Sequence, residues 1–205
     1  MLKKMNLPNK LTMLRMVLVP VFIVFMALPL EWEWNIWVAL AIYIIASVTD
    51  CLDGQISRRK NIVTKFGKIM DPLADKLLVS SGFVMLTGLG VIPAWMTAII
   101  VFRDFFVSTL RVFGSDNGKD VGAGLSGKVK TIFQLIGIVL AILGLGLSSY
   151  YNTFGSFIAN ASSMSVGVLL TNVGMTVSIA AAVLSTVWSL VDYFIRFKDD
   201  INVEE

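Results

Sequence analysis

Asp50-Cys51-Leu52-Asp53-Gly54-Gln55-Ile56-Ser57-Arg58 is followed, after a basic connection, by Gly67-Lys68-Ile69-Met70-Asp71-Pro72-Leu73-Ala74-Asp75. This stretch decides the fold because it concentrates charge between apolar sequence. Ile36 to Thr49 runs up to it, and a second apolar run leaves it after Pro72 and ends near Leu89. Working outward, four more apolar runs appear: Leu11 to Leu30, interrupted by Arg15, then Ile92 to Phe113, Val129 to Leu147, and Ser165 to Phe197. A bilayer core about 30 Å thick is crossed by roughly 20 apolar helical residues. The second run is short alone, and reads as a helix continuing through Asp50 and Asp53. The last is longer than one crossing needs.

Composition agrees with a membrane class. Of 205 residues, 56% are hydrophobic and 15% charged, with mean hydropathy +0.79. Soluble domains carry roughly 25% charge. A disordered chain, a coiled coil and an ordinary soluble enzyme are therefore excluded. The chain has no histidine and one cysteine, Cys51. That excludes Ser-His-Asp and Cys-His catalysis, His-ligated metals, thiolate zinc and internal disulfides. The remaining chemistry must come largely from 14 acids and 17 bases.

The bases fall before the first run ends, in Asp50–Lys76, in Arg103–Lys130, and from Arg196 onward. The connections near 31–35, 88–92 and 148–164 have none. Alternation of basic and bare connections is the positive-inside pattern. It predicts an all-α polytopic membrane protein: six transmembrane helices, both termini cytosolic, one domain over 1–205. A signal peptide is the rival reading of the first run, but Arg15 interrupts it and no small-residue cleavage site follows. The tryptophans around Glu31-Trp32-Glu33-Trp34 read as interfacial anchors. Residues 148–163 read as an outer loop or a surface-lying helix. Pro72 and Pro93 read as first-turn prolines of the third and fourth helices. Gly137, Gly144, Gly146, Gly167 and Gly174 suit close helix packing.

On helices, Asp50 and Asp53 share one face, as do Asp71 and Asp75. If their helices are antiparallel neighbours, four carboxylates converge at one membrane boundary. Two like charges 4 Å apart repel by about 4 kcal/mol at an effective dielectric of 20. Protonation or divalent cations would relieve that. All-oxygen ligation selects hard ions, Mg2+ or Mn2+, and two such ions balance four carboxylates. Two-metal sites characteristically serve displacement at phosphorus. A single D-x-x-D reads equally as a solvated face or a cap; two pairs bordering apolar runs on one side weigh against that. Gly54 and Gly67 permit either helix packing or close approach of a ligand.

The full pattern is D-x2-D-G-x2-S-R-x8-G-x3-D-x3-D over residues 50–75. It resembles the CDP-alcohol phosphotransferase signature D-x2-D-G-x2-A-R-x8-G-x3-D-x3-D. Every gap length agrees, and the one departure is Ser57 in place of alanine. Asn6-Leu7-Pro8-Asn9-Lys10-Leu11-Thr12, Asp71-Pro72-Leu73-Ala74-Asp75-Lys76, Arg103-Asp104 and Gly127-Lys128-Val129-Lys130-Thr131 resemble the bacterial phosphatidylglycerophosphate synthase branch.

That resemblance implies a homodimer of six-helix membrane chains in the bacterial inner membrane, its site at the cytosolic boundary. It implies transfer of a phosphatidyl group from CDP-diacylglycerol to sn-glycerol 3-phosphate, with release of CMP. Membrane lipids surround it, and no nucleic-acid partner is expected. By motif position, Asp50, Asp53, Asp71 and Asp75 are the implied metal ligands, and Asp75 the implied base toward the acceptor hydroxyl. Asp50, Gly54, Arg58 and Gly67 are the implied CDP-diacylglycerol pocket, with Pro8, Asn9 and Thr12 beside it.

The acceptor phosphate needs a separate cationic pocket, for which Arg103, Arg111, Lys128 and Lys130 are candidates. Charges within apolar spans are expensive and usually functional. For Lys128 and Lys130 a positive-inside flank is the competing explanation. Arg103 and Asp104 are expected to diverge as helix neighbours. The same family acting on inositol phosphate, serine or another alcohol is the alternative. A carboxylate-lined cation or proton transporter is a third reading; it fits poorly, because the acids cluster at one boundary without inverted repeats or a midplane site.

Overall fold

The computed structural model describes residues 7–29, 34–60, 65–116, 125–147 and 154–197. Side chains are described for 9–29, 34–50, 70–109, 130–147 and most of 154–192. Every regular element is helical among these residues: α1 Leu7–Ala27, α2 Trp34–Lys60, α3 Lys65–Gly88, α4 Ala94–Asp116, α5 Leu125–Leu147, a short α6 Phe157–Asn160 with a following 3-10 turn, and α7 Val166–Phe197. The six long helices correspond in order to the six apolar runs. α2 does continue past Asp50, to Lys60.

Among the described residues, three helices contain stretches long and apolar enough to cross a membrane: Asn9–Ala27, Lys130–Leu147 and Val166–Asp192. Trp34–Asp50 is a shorter apolar stretch. α3 and α4 carry charge within the helix. Lys65, Lys68, Asp71, Asp75 and Lys76 lie in the first half of α3, and Arg103, Asp104 and Arg111 lie within α4.

α1 packs on α2 and α3; α5 packs on α7, α2 and α3; α4 packs on α7 and α3. Burial follows helical periodicity. On α1 the buried positions are Asn9, Thr12, Arg15, Val19, Phe22 and Met26, one face of a helix changing from polar to apolar along its length. Phe22 meets Tyr43 of α2 with ring centroids 5.2 Å apart, and the apolar core continues through Leu78, Phe83, Ile138, Ile142 and Ile179. The exterior is apolar too. Val17, Val24, Ile45, Phe102, Leu170, Leu184 and Trp188 are all exposed, while Thr12, Arg15, Arg103, Lys130, Gln134 and Ser189 are buried. A bundle with an apolar exterior and polar groups inside is what lipid selects.

Between helices in lipid, close packing replaces the hydrophobic drive. A Cβ on Gly137 would lie 2.9 Å from Ile179 of α7, and one on Gly174 2.9 Å from Leu140 of α5. Gly146 likewise closes on Trp37. Gly167 does not serve packing, since a Cβ there meets nothing within 4 Å.

The prolines also depart from expectation. α3 starts at Lys65, so Pro72 lies inside the helix rather than in its first turn. Residues 65–71 before it are helical as well, which local apolarity does not signal. Pro93 stands just before α4, and its carbonyl accepts the first bond from the Met96 N–H at 3.1 Å. In the 148–163 stretch, residues 148–153 lie outside the description and the remainder contains α6 and the 3-10 turn.

Candidate active site

Three helices supply the signature region. α2 carries Asp50, Asp53, Gly54 and Arg58; α3 carries Gly67, Asp71 and Asp75; α1 lies against both. The side chains of Pro8, Asp53, Arg58, Arg111 and Lys128, and the surroundings of Gly54 and Gly67, lie outside the described residues, although the helices bearing them are placed.

Asn9, Thr12 and Arg15 follow one another at three-residue spacing on the buried face of α1. From that face Thr12 donates its hydroxyl to Asp71 Oδ1 at 2.5 Å. One turn along, Arg15 pairs through Nη1 with Asp50 Oδ1. α1 thus ties the two acid-bearing helices together, one through a hydroxyl and the other through a guanidinium. Sequence reading placed Thr12 near the nucleotide but treated Arg15 as an interruption of an apolar run. Its ion-pair role went unseen because the partner lies 35 residues away.

Asp50 lies within electrostatic reach of both Asp71 and Asp75. Burial pushes the Asp50 carboxyl above its ordinary range; Arg15 pulls it back down, and the Asp71 charge pushes it up. Asp75 interacts electrostatically with Asp50, Arg15, Lys76 and Lys130. Asp50 thus links the acids of α2 and α3 electrostatically. Part of their repulsion is relieved by Arg15, a cation within the chain. Lys76 also extends over the ring of Phe105 on α4, 6.0 Å from its centroid. Among the described residues no three His, Cys, Asp or Glu side chains are grouped closely enough to hold a metal ion; Asp53 is outside that set. The donors present are carboxylate oxygens, whose chemistry fits a hard divalent ion.

Tyr43, two turns before Asp50 on α2, is fully buried. Its hydroxyl has no hydrogen-bond partner among the described residues, and it lies within electrostatic reach of Asp75. No sequence signal distinguished it from an ordinary core aromatic.

A second polar group joins α4, α5 and α7. Asp104 accepts from Lys130 Nζ through Oδ1, from Arg103 Nη1 at 3.4 Å, and from Gln134 Nε2 at 3.4 Å through Oδ2. Arg103 Nη2 donates to the Ser189 hydroxyl. The expectation that Arg103 and Asp104 diverge is corrected: the long guanidinium stem folds back far enough to reach its neighbour. Two of the four candidate phosphate-binding cations, Arg103 and Lys130, are thus brought together and buried. Asp104, Gln134 and Ser189 were not anticipated as their partners. The i, i+4 spacing of Lys130 and Gln134 was the available signal.

Residues 5–188 match the family model described as CDP-alcohol phosphatidyltransferase. Among curated relatives, a Bacillus subtilis protein is 42% identical over 67% of this chain and 77% of its own length. It is named CDP-diacylglycerol–glycerol-3-phosphate 3-phosphatidyltransferase. A Shigella flexneri protein of the same name is 31% identical over 96% of this chain and 97% of its own. A Mycobacterium tuberculosis protein, named a probable phosphatidylglycerophosphate synthase, is 36% identical over 96% of this chain and 84% of its own. With the signature on α2 and α3 and a family match over most of its length, the chain belongs to the CDP-alcohol phosphatidyltransferase family.

Proposed function

We propose that this chain transfers the phosphatidyl group of CDP-diacylglycerol to sn-glycerol 3-phosphate, giving phosphatidylglycerophosphate and CMP. The observation that carries this reading is that Asp75, one of the signature carboxylates, lies within electrostatic reach of Lys130 in a buried Lys130–Arg103 cluster. The activities named for the relatives support the same acceptor.

The chain is one membrane domain over 1–205, crossing the bacterial inner membrane six times. Both termini and the site face the cytosol, and two chains form a homodimer. The alternation of basic and bare connections supports this arrangement. Asp50, Asp53, Asp71 and Asp75 would hold two divalent ions, Mg2+ or Mn2+. When bound, these supply charge stabilisation for the diphosphate and the departing CMP.

The remaining work falls to side chains. Pro8, Asn9, Thr12, Asp50, Gly54, Arg58 and Gly67 bind the CDP end of the donor, Arg58 as a charge-assisted partner of its phosphates. Thr12 and Arg15 orient Asp71 and Asp50. Arg103, Arg111, Lys128 and Lys130 receive the acceptor phosphate. Asp75 takes the proton from the acceptor hydroxyl as that oxygen attacks phosphorus and CMP leaves. Holding donor and acceptor in line lowers the barrier by orientation.

The test incubates purified protein with CDP-diacylglycerol, Mg2+ and labelled sn-glycerol 3-phosphate. CMP and labelled lipid should appear together, and chelation should abolish both. CMP release no higher than the blank would sink the reading. An acceptor panel including inositol phosphate, serine and glycerol addresses the alternative substrate; full activity with an unphosphorylated alcohol would contradict the cationic pocket.

A further inference from the structure

Asp104 has no place in the signature, yet it organises the cationic cluster. Its carboxylate contacts Lys130, Arg103 and Gln134, and Ser189 holds the far side of Arg103. Lys130 is 2% exposed and Arg103 7%. A buried cation is tolerated only when paired and hydrogen-bonded. Asp104 contributes to that pairing for both cations.

A phosphate monoester offers what this carboxylate offers, only more strongly. It carries a charge of about −1.5 to −2 at pH 7 and three acceptor oxygens. Lys130 also lies within electrostatic reach of Asp75, the proposed base.

We propose that Asp104 is a specificity-determining residue of the acceptor site, standing in for the acceptor phosphate until a phosphorylated alcohol displaces it from Lys130. Asp104 holds Lys130 and Arg103 in position before the acceptor arrives. It also sets a threshold. A ligand must be more strongly anionic than one carboxylate to take Lys130, so uncharged or zwitterionic alcohols do not. This rests on the acceptor-pocket reading above.

The experiment compares wild type and Asp104→Asn as full-length purified protein, measuring CMP release against sn-glycerol 3-phosphate with inorganic phosphate as competitor. Removing the internal competitor should lower both the acceptor KM and the phosphate inhibition constant by about tenfold, the worth of one charge-assisted bond. The KM for CDP-diacylglycerol should hold and kcat should not rise. An unchanged or raised acceptor KM in folded, active Asp104→Asn overturns the proposal. Wild type lacking CMP release with this acceptor would instead overturn the activity assigned above. If Asp104→Asn fails to fold, Asp104→Asn/Lys130→Met removes both members of the pair together. Phosphate inhibition should then be lost with donor KM retained; wild-type phosphate inhibition in that protein overturns the proposal.

Discussion

Arg15 of α1 and Asp50 of α2 form an ion pair whose members are unequally exposed: the arginine side chain is 0% accessible and the aspartate 36%. The two halves of the pair are therefore not equivalent to remove. Asp50→Ala strips a fully buried guanidinium of this counter-charge, at a cost of about 3–5 kcal/mol. Arg15→Met leaves a carboxylate that water already reaches, at about 1–2 kcal/mol. Thermal melts in detergent with chelator present should rank Asp50→Ala below Arg15→Met. The reverse order would contradict the asymmetry.

Thr12 presents one hydroxyl to Asp71. Thr12→Val keeps the shape and loses the donor, and a hydrogen bond to a charged group is worth about 1.5–3 kcal/mol. CMP release should fall by about tenfold or more, and Thr12→Ser should restore most of it. Equal activity in the valine and serine variants would show that the hydroxyl does not orient Asp71 for turnover.

Asp75→Asn keeps the side-chain volume and abolishes the base. General-base catalysis contributes about 10²–10⁴-fold, so turnover should drop within that range while the melting temperature holds. Near-normal turnover would remove Asp75 from the role.

The Tyr43 hydroxyl is buried without a hydrogen-bond partner among the described residues. Tyr43→Phe removes that desolvated group and keeps the contact with Phe22. Stability should stay level or rise by about 1 kcal/mol. A loss above that size would reveal a bond made by the hydroxyl.

Gly137 and Gly167 separate packing from propensity. Gly137→Ala drives a methyl against Ile179 and should cost about 1–3 kcal/mol. Gly167→Ala meets open space and should be neutral or stabilising by up to about 1 kcal/mol. Melting temperatures of the two variants, measured side by side, check the sign of each.

What was legible in the sequence was whatever repeats locally. Six apolar runs marked six long helices, and the spacing of Asp50, Asp71 and Asp75 placed them on α2 and α3. Tertiary partnership was not legible. Arg15 looked like a flaw in its run because Asp50 lies across a helix interface. Arg103 and Lys130 stand out as cations, but the carboxylate joining them does not, because helix spacing sets the neighbours Arg103 and Asp104 apart. Pro72 suggested a helix start, yet α3 begins upstream with charged residues. For Arg15, Arg103 and Lys130 the deciding contact is made by a long side chain crossing between turns or helices, which periodicity does not encode.

The apolar exterior and polar interior also separate two sets of constraints on the sequence. Val17, Val24, Ile45, Phe102, Leu184 and Trp188 answer to the surrounding solvent, and none takes part in the Thr12, Arg15 or Asp104 contacts. Those outward positions form a recodable shell. Replacing them with Glu, Lys and Gln at helix-compatible positions would turn the same scaffold toward water. Its polar interior could be carried over intact, since that interior is stabilised by partners inside the protein rather than by lipid.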